Sequence, residues 1–151
     1  HIAEERFQFA YHEAANLEAW SIQLVTASGL TLCAQRTNNA AAVGLWGERV
    51  VELSKGREFY LHDRWMVDAA RAWFELARGG SPLAARQMLA ESARDLKRRD
   101  VDHWLMVRAE CVYLTLKTTG RRPTAEVEEL IAHATELGAE GVLKTLRHLA
   151  G

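Results

Sequence analysis

The chain has 151 residues, of which 48% are hydrophobic and 26% are charged, and its formal net charge at pH 7 is −1. This is the composition of a globular protein that is long enough to bury a core, and not that of a disordered segment. The near-neutral charge argues against an electrostatic nucleic-acid binder, which needs a basic excess on one face. Because no apolar run reaches the length of a bilayer span and the first residues lack the plan of a signal peptide, we expect a cytoplasmic protein without membrane contact.

Apolar residues recur three and four positions apart along the whole chain, and period-two runs of β-branched residues are missing. The pattern therefore predicts an all-α protein. Both prolines, Pro82 and Pro123, stand where a helix would make its first turn, a place where proline costs no hydrogen bond. The sequence predicts seven to eight helices, over about 2–15, 18–35, 40–55, 59–78, 82–99, 100–119, 123–137 and 140–149.

Several side chains have the chemistry of helix caps. Ser81 precedes Pro82, and either Asp100 or Asp102 opens the sixth apolar run, so each is expected to accept a hydrogen bond from a free amide of the first turn. Asp63 is interpreted in the same way, as the N-cap of the fourth helix.

Three glycines fall inside the expected helices, at Gly29, Gly44 and Gly47. A glycine in a helix interior costs about 1 kcal/mol relative to alanine. These positions indicate either tight helix crossings or a poorly formed third helix.

An internal repeat organises the chain from residue 62 to residue 138. Residues 63–70 are matched by residues 102–109, each copy ends at a glycine-containing break, and a second helical run follows each break. Ala27, Ala69 and Ala109 share one position, at spacings of 42 and 40 residues. Periods of this size are typical of stacked helical hairpins. The matched apolar sets are Ala27, Leu30, Leu32 and Ala34; Ala69, Ala72, Phe74 and Leu76; Ala109, Val112, Leu114 and Leu116; and, in the second helices, Leu89, Ala93 and Leu96 with Leu130, Ala134 and Leu137.

Residues 129–139, followed by Leu143 and Leu146, resemble the tetratricopeptide-like helical region at the C-terminal end of ATPase-containing LuxR-type transcription regulators and of related ATPase-linked nucleotide cyclases. Residues 48–54 and 58–60 are similar to the helix-then-aromatic junction of that family, and the resemblance covers about 18–150. It implies a tetratricopeptide-like, right-handed array of about three and a half antiparallel hairpins. It also implies that this chain is a sensor or coupling arm, with the ATPase and DNA-binding parts elsewhere.

The first residues are already helical in pattern, so we expect residues 1–151 to form one helical-repeat domain taken from a longer protein, with His1 as a tag remnant. Cys33 and Cys111 lie within expected helices and form no CxxC pair. We interpret them as small buried hydrophobes in a reducing compartment.

A metal site is the alternative interpretation of a few histidines and aspartates. The doublet His62-Asp63, together with His12 and with Asp100 or Asp102, is similar to the ligand set of HD-type phosphohydrolases. Transition-metal binding requires these groups to converge in space, and the sequence does not require it of them. We therefore expect no metal and no cofactor.

The five tryptophans are interpreted mainly as core residues. Trp65 and Trp104 stand early in the first helix of their hairpins, and in stacked-hairpin arrays that helix lines the concave surface. The sequence therefore predicts a groove with an aromatic floor and charged walls, which suits a peptide, a partner helix or a small effector. Its expected residues are Trp65, Asp68, Arg71, His103, Trp104 and Arg108.

A charge run over residues 94–99 is interpreted as a solvated helix end, with a phosphate or acidic-peptide contact as the alternative. From all these features we expect a non-catalytic module of a bacterial signalling or transcriptional regulator. Its partner would be another protein, another domain of the same chain or a small effector, without direct contact with nucleic acid. A metal-dependent HD-type hydrolase and a purely structural or dimerisation spacer are the alternatives.

Overall fold

The computed structural model describes residues 2–150, except for the side chains of Leu61, His62 and Ala150. This part of the chain is all-α, with eight helices and no strand, which confirms the predicted all-α, helical-repeat fold. Connections of three to six residues join the helices. None of these helices is both long enough and apolar enough to cross a bilayer. The helices are α1 (Ile2–Asn16), α2 (Trp20–Arg36), α3 (Ala40–Ser54), α4 (Leu61–Ala77), α5 (Pro82–Leu96), α6 (Val101–Thr119), α7 (Thr124–Glu136) and α8 (Glu140–Ala150).

Local chemistry ends most of these helices where the sequence indicates. Gly56, Gly79, Gly120 and Gly138 follow helix ends with φ between 66° and 81°, a left-handed conformation that glycine adopts without steric cost. The carboxylate of Asp100 accepts a hydrogen bond from the amide of His103 at the start of α6, at 3.2 Å. The predicted cap at Asp100 and the predicted glycine-containing breaks after α4 and α6 therefore agree with the structure.

Two predicted positions at helix starts are wrong. Asp63 is not the N-cap of α4, because the helix already begins at Leu61 and Tyr60 holds the N-cap position. Its carboxylate lies in the first turn, where it still faces the positive end of the helix dipole. Pro123 is the residue before α7 and not part of its first turn, since the helix begins at Thr124.

The chain packs as two compact units, His1–Ala85 and Arg86–Gly151. In the first unit, α2 packs against α1, α3 and α4, and α3 also packs against α4. The fully buried centre of this unit consists of Leu24, Ala27, Val50, Val67 and Ala70. Whether the whole chain behaves as one domain, as expected, stays a prediction.

The second unit repeats part of this arrangement. Helix α6 packs against α7 and α8, and α7 packs against α8, just as α2 packs against α3 and α4. In both units a first helix therefore contacts its own partner and the helix that follows. This is the contact pattern that the hairpin repeat predicts.

Burial shows the register of the repeat between α4 and α6. At a spacing of 40 residues, Ala69, Ala72 and Phe74 are buried, as are their equivalents Ala109, Val112 and Leu114. The predicted matching of Trp65 with Trp104 uses a spacing of 39 and is one residue out of this register. In register, Trp104 is equivalent to Arg64, and Arg108 is equivalent to Asp68.

The second helices match less closely. Leu89, Ala93 and Leu96 on α5 are all buried, and so are Leu130 and Ala134 on α7. The third expected partner, Leu137, is 50% exposed. Its exposure follows from the end of α7 at Glu136, which leaves Leu137 in the connection.

The internal glycines divide into two groups. A Cβ atom at Gly47 would lie 2.5 Å from Cβ of Phe74 on α4, and one at Gly29 would lie 2.6 Å from Cζ of Phe7 on α1. These two positions are tight helix crossings. Gly44 has no neighbour within 4 Å of such an atom, yet α3 is continuous through it. The alternative of a poorly formed third helix is therefore wrong.

We expect alanine substitutions at Gly47 and Gly44 to have opposite effects. Gly47→Ala places a methyl group against Cβ of Phe74, which is fixed to the backbone of α4 and does not swing away, so the free energy of unfolding should fall by about 1–3 kcal/mol. At Gly44, one turn earlier in the same helix, a methyl group meets no neighbour, and alanine has the higher helix propensity. Gly44→Ala should therefore raise the free energy of unfolding by up to about 1 kcal/mol. Urea denaturation followed by circular dichroism measures both. Changes of the same sign in the two variants would contradict this account of α3.

Candidate functional site

A pocket of about 290 Å³ lies in the second unit between α5, α6 and α7. Its walls combine small and aliphatic residues from α5 with an aromatic ring and a cation from α6. It is lined by Leu89, Ala90, Ala93, Arg94, Lys97, Trp104, Arg108, Cys111 and Glu126.

Trp104 forms the aromatic surface of this pocket. The Asp100 cap begins α6 at Val101, which places Trp104 in the first turn of the helix. The His133 ring of α7 contacts the indole edge-on, with 5.6 Å between the ring centroids. Only 6% of Trp104 is exposed, so neighbouring side chains hold the ring in one orientation.

Two cations lie against the Trp104 ring. The guanidinium of Arg108, one turn later on α6, is 5.8 Å from the ring centroid, and the ammonium of Lys97 is 6.0 Å from it. Both distances are within the range of cation–π attraction. The pocket therefore joins an aromatic surface to positive charge from α6 and from the residue that follows α5.

Arg108 also links α6 to α7. Its Nη2 donates a hydrogen bond to Oε1 of Glu126 at 2.8 Å, and the two side chains are 29% and 31% exposed. An ion pair that is this accessible to water contributes little to stability and exchanges readily with other charged groups.

Positive charge predominates at the rim of the pocket. Arg94, Lys97 and Arg108 are three cations, and Glu126 is the one carboxylate among the lining residues. Within the described part of the chain, Arg94 and Lys97 have no ion-pair partner. The apolar walls thus carry a rim with two more positive than negative charges.

Cys111 lies one turn beyond Arg108 and also lines the pocket. Burial raises the pKa of the Cys111 thiol, the Glu126 carboxylate raises it further, and the cations Arg108 and Arg86 act in the opposite direction. Burial also raises the pKa of the Cys33 thiol. Both cysteines are free and half-buried, so neither has the lowered pKa that a reactive thiolate needs.

The six residues of the predicted groove belong to different units. Trp104 and Arg108 line the same pocket in the second unit. His103 is next to Trp104 on α6 but is not a lining residue, because its Nδ1 lies against the Asp100 carboxylate at the N-terminus of the helix.

The other three predicted residues, Trp65, Asp68 and Arg71, lie on α4 in the first unit. Asp68 is buried, and Nε of Arg64 donates a hydrogen bond to its Oδ2 at 3.2 Å. Trp65 and Arg71 are half-buried. One groove that contains all six residues stays a prediction.

Sequence reasoning assigned other roles to several lining residues. Arg94 and Lys97 belong to the charge run over residues 94–99, which is predicted to be a solvated helix end, with a phosphate or acidic-peptide contact as the alternative. Glu126 carries no sequence signal for a pocket, because a glutamate early in a helix is explained by the helix dipole alone. Only packing shows that it faces a residue 18 positions away.

A second cavity, of about 570 Å³, lies in the first unit between α1 and α2. It is lined by Ile2, Ala3, Arg6, Phe7, Ala10 and Thr26. The Thr26 hydroxyl is already bonded to the carbonyls of Ile22 and Gln23 in its own helix. This cavity therefore offers few groups that would orient a ligand.

No group of three or more histidine, cysteine, aspartate or glutamate side chains in the described part of the chain could hold a metal ion. The side chain of His62 lies outside the described residues. The alternative that joins His12, His62 and Asp63 at a metal stays a prediction.

Comparisons with known proteins give no relative. The chain matches no protein-family model, no curated protein and no solved structure.

The Cys111 thiol should report the charges of the pocket. In a Cys33→Ser background, alkylation by iodoacetamide should reach half its maximal rate at a higher pH than alkylation of an unstructured cysteine peptide, because burial raises the thiol pKa. Glu126→Gln removes a negative charge, which should lower the pKa and accelerate alkylation near neutral pH. Arg108→Gln removes a positive charge, which should raise the pKa of the thiol and slow alkylation near neutral pH. The pH–rate profiles measure these shifts, and identical profiles for the three proteins would contradict the pocket geometry.

Proposed function

We propose that this chain is a non-catalytic helical-repeat module that binds a protein partner in the pocket between α5, α6 and α7. In this proposal it belongs to a cytoplasmic bacterial signalling or transcriptional regulator, as its resemblance to the helical region of LuxR-type regulators implies. It works as a sensor or coupling arm, while catalysis or DNA binding belongs to other parts of the regulator.

The observation that carries the proposal is the preformed pocket at Trp104. Its aromatic surface, aliphatic walls and cationic rim are typical of an anchoring site for one large side chain of a partner. Small-molecule sites have volumes of roughly 300–1,000 Å³, so about 290 Å³ is at the lower end of that range. A single side chain with its flanking residues fits better than a drug-sized effector.

The pocket has the rigidity that recognition requires. All of its lining residues except Lys97, which directly follows α5, lie on helices, and Trp104 is held by contacts with neighbouring side chains. A site that is already ordered loses little conformational entropy on binding, so more of the contact energy appears as affinity.

Binding would transmit a signal if the partner preferred one packing of the helices over another. A ligand shifts a conformational equilibrium only by the difference between its affinities for the two states. Contacts with α5, α6 and α7 together would supply such a difference, because a change in their packing changes the pocket itself.

We expect Ala90→Trp to abolish partner binding without unfolding the protein. Ala90 is an exposed lining residue of α5, so an indole there would fill the pocket and leave the core unchanged. Peptides selected from a random phage-displayed library against the native protein should bind this variant at least about tenfold more weakly, which corresponds to about 1.4 kcal/mol.

Ala132→Trp is the matched control, since Ala132 is an exposed alanine of α7 outside the pocket. It should bind the selected peptides as the native protein does. Thermal melts should show both variants folded. If no peptide is enriched, or if the enriched peptides bind Ala90→Trp normally, the pocket is not a recognition site and a structural spacer becomes the better account.

Metal analysis separates this proposal from the hydrolase alternative. After dialysis against zinc or manganese and removal of free metal, we expect less than stoichiometric metal on the purified protein. An HD-type hydrolase predicts about one or two bound ions, with loss of metal in His62→Ala. Stoichiometric metal that depends on His62 would overturn the non-catalytic assignment.

A further inference from the structure

We propose that the occupant of the pocket between α5, α6 and α7 is an acidic peptide segment, which inserts one large apolar side chain beside Trp104 and places its carboxylates on Arg94, Lys97 and Arg108. This inference rests on the proposed function and names the chemistry of the partner.

The apolar part of the occupant follows from the walls. Leu89, Ala90 and Ala93 line one side along α5, and the Trp104 ring lines the other. Burying a leucine or aromatic side chain between such surfaces is favourable because it removes apolar area from water. A hydrated phosphate or a purely polar chain gains nothing from these walls.

The acidic part follows from the rim. Arg94 lies in the last turn of α5 and Lys97 directly follows that helix. Both are exposed, and neither has an ion-pair partner in the described part of the chain. The chain as a whole has a net charge of −1, so an excess of cations around an apolar pocket is a local feature. Charge complementarity of this kind selects an anionic partner and accelerates its association.

Glu126 already shows how a carboxylate binds at this rim. Its Oε1 accepts the hydrogen bond from Nη2 of Arg108 at 2.8 Å, next to the Trp104 ring. A carboxylate of the peptide would accept a hydrogen bond from the same guanidinium, and Glu126 would then point to solvent. Glu126 therefore competes with the peptide for Arg108 and lowers the affinity for acidic peptides. A peptide with poorly placed carboxylates would not displace it, so Glu126 also increases the sequence specificity of the pocket.

A nucleic acid fits this rim less well, although it is also anionic. Nucleic-acid binders spread basic residues over a face that follows the phosphate backbone, whereas these cations surround one apolar cavity. A peptide supplies the apolar side chain and the carboxylates from neighbouring residues.

The test uses a fluorescein-labelled peptide of twelve residues, with one central tryptophan flanked on both sides by alternating aspartate and glutamate. Fluorescence polarisation with the full chain should show saturable binding that weakens as salt is raised from 50 to 500 mM, because exposed charges are screened. A peptide with asparagine and glutamine at the acidic positions, and one with alanine for tryptophan, should each bind at least about tenfold more weakly.

Two double variants with the same net charge distinguish binding in the pocket from non-specific electrostatic attraction to the protein. Arg94→Gln/Lys97→Gln should weaken binding of the acidic peptide about tenfold at low salt. Arg98→Gln/Arg99→Gln removes two exposed cations at the same end of α5 but outside the lining residues, and should change it by less than about threefold. Glu126→Gln should strengthen binding, because the competitor for Arg108 is removed. Circular dichroism melts check that all variants fold.

Equal losses of affinity in the two double variants, or equal binding of the peptide with asparagine and glutamine, would overturn the inference. Weaker binding of the acidic peptide to Glu126→Gln would also overturn it. So would displacement of the labelled peptide by free phenylacetate, if phenylacetate acted at the same concentration as unlabelled peptide. The last would make a small carboxylate the occupant. If instead the phage-selected peptides lose affinity for Ala90→Trp but are not acidic, this inference fails while the proposed function stands.

Discussion

A helix with one apolar stripe needs a neighbour to cover it, and this constraint decides how the chain packs. Helix α2 contacts both α3 and α4, and helix α6 contacts both α7 and α8, so a first helix is covered by its own partner and by the next helix. Small residues allow the close contacts. Ala27, Ala69 and Ala109 are buried at their shared position, and at Gly47 the side chain of Phe74 lies against the backbone of α3. We therefore expect stability to depend on these helix contacts, because ion pairs exposed to solvent contribute little.

The repeat register shows why the pocket belongs to the second unit. In α4 the equivalent positions hold Arg64 and Asp68, which pair with each other within the helix. In α6 they hold Trp104 and Arg108, where an aromatic ring and a cation replace the internal ion pair. Arg64 is bonded to Asp68 within its own helix, whereas the Arg108 guanidinium is bonded to Glu126 of α7. The two equivalent positions of the repeat therefore differ in chemistry between α4 and α6.

The Glu126 carboxylate affects two charged or titratable groups of the pocket. Glu126 neutralises part of the rim through Arg108 and, with burial, raises the pKa of the Cys111 thiol below it. A partner that displaced Glu126 would change the electrostatic environment of Cys111 as well as that of Arg108. The same carboxylate therefore links the charge of Arg108 to the pKa of the Cys111 thiol.

The sequence by itself determined the all-α fold, indicated seven to eight helices and placed most of their ends to within about two residues, because helical periodicity, caps and glycine stops act locally. It also singled out Trp104 and Arg108, since a tryptophan and an arginine one turn apart on a helix are visible in one dimension. Only the tertiary structure decided the register of α4 against α6, the exposure of Leu137 and the convergence of Lys97, Arg108 and Glu126. These depend on which face each helix turns to its neighbours, and that is fixed by packing between residues far apart in the chain.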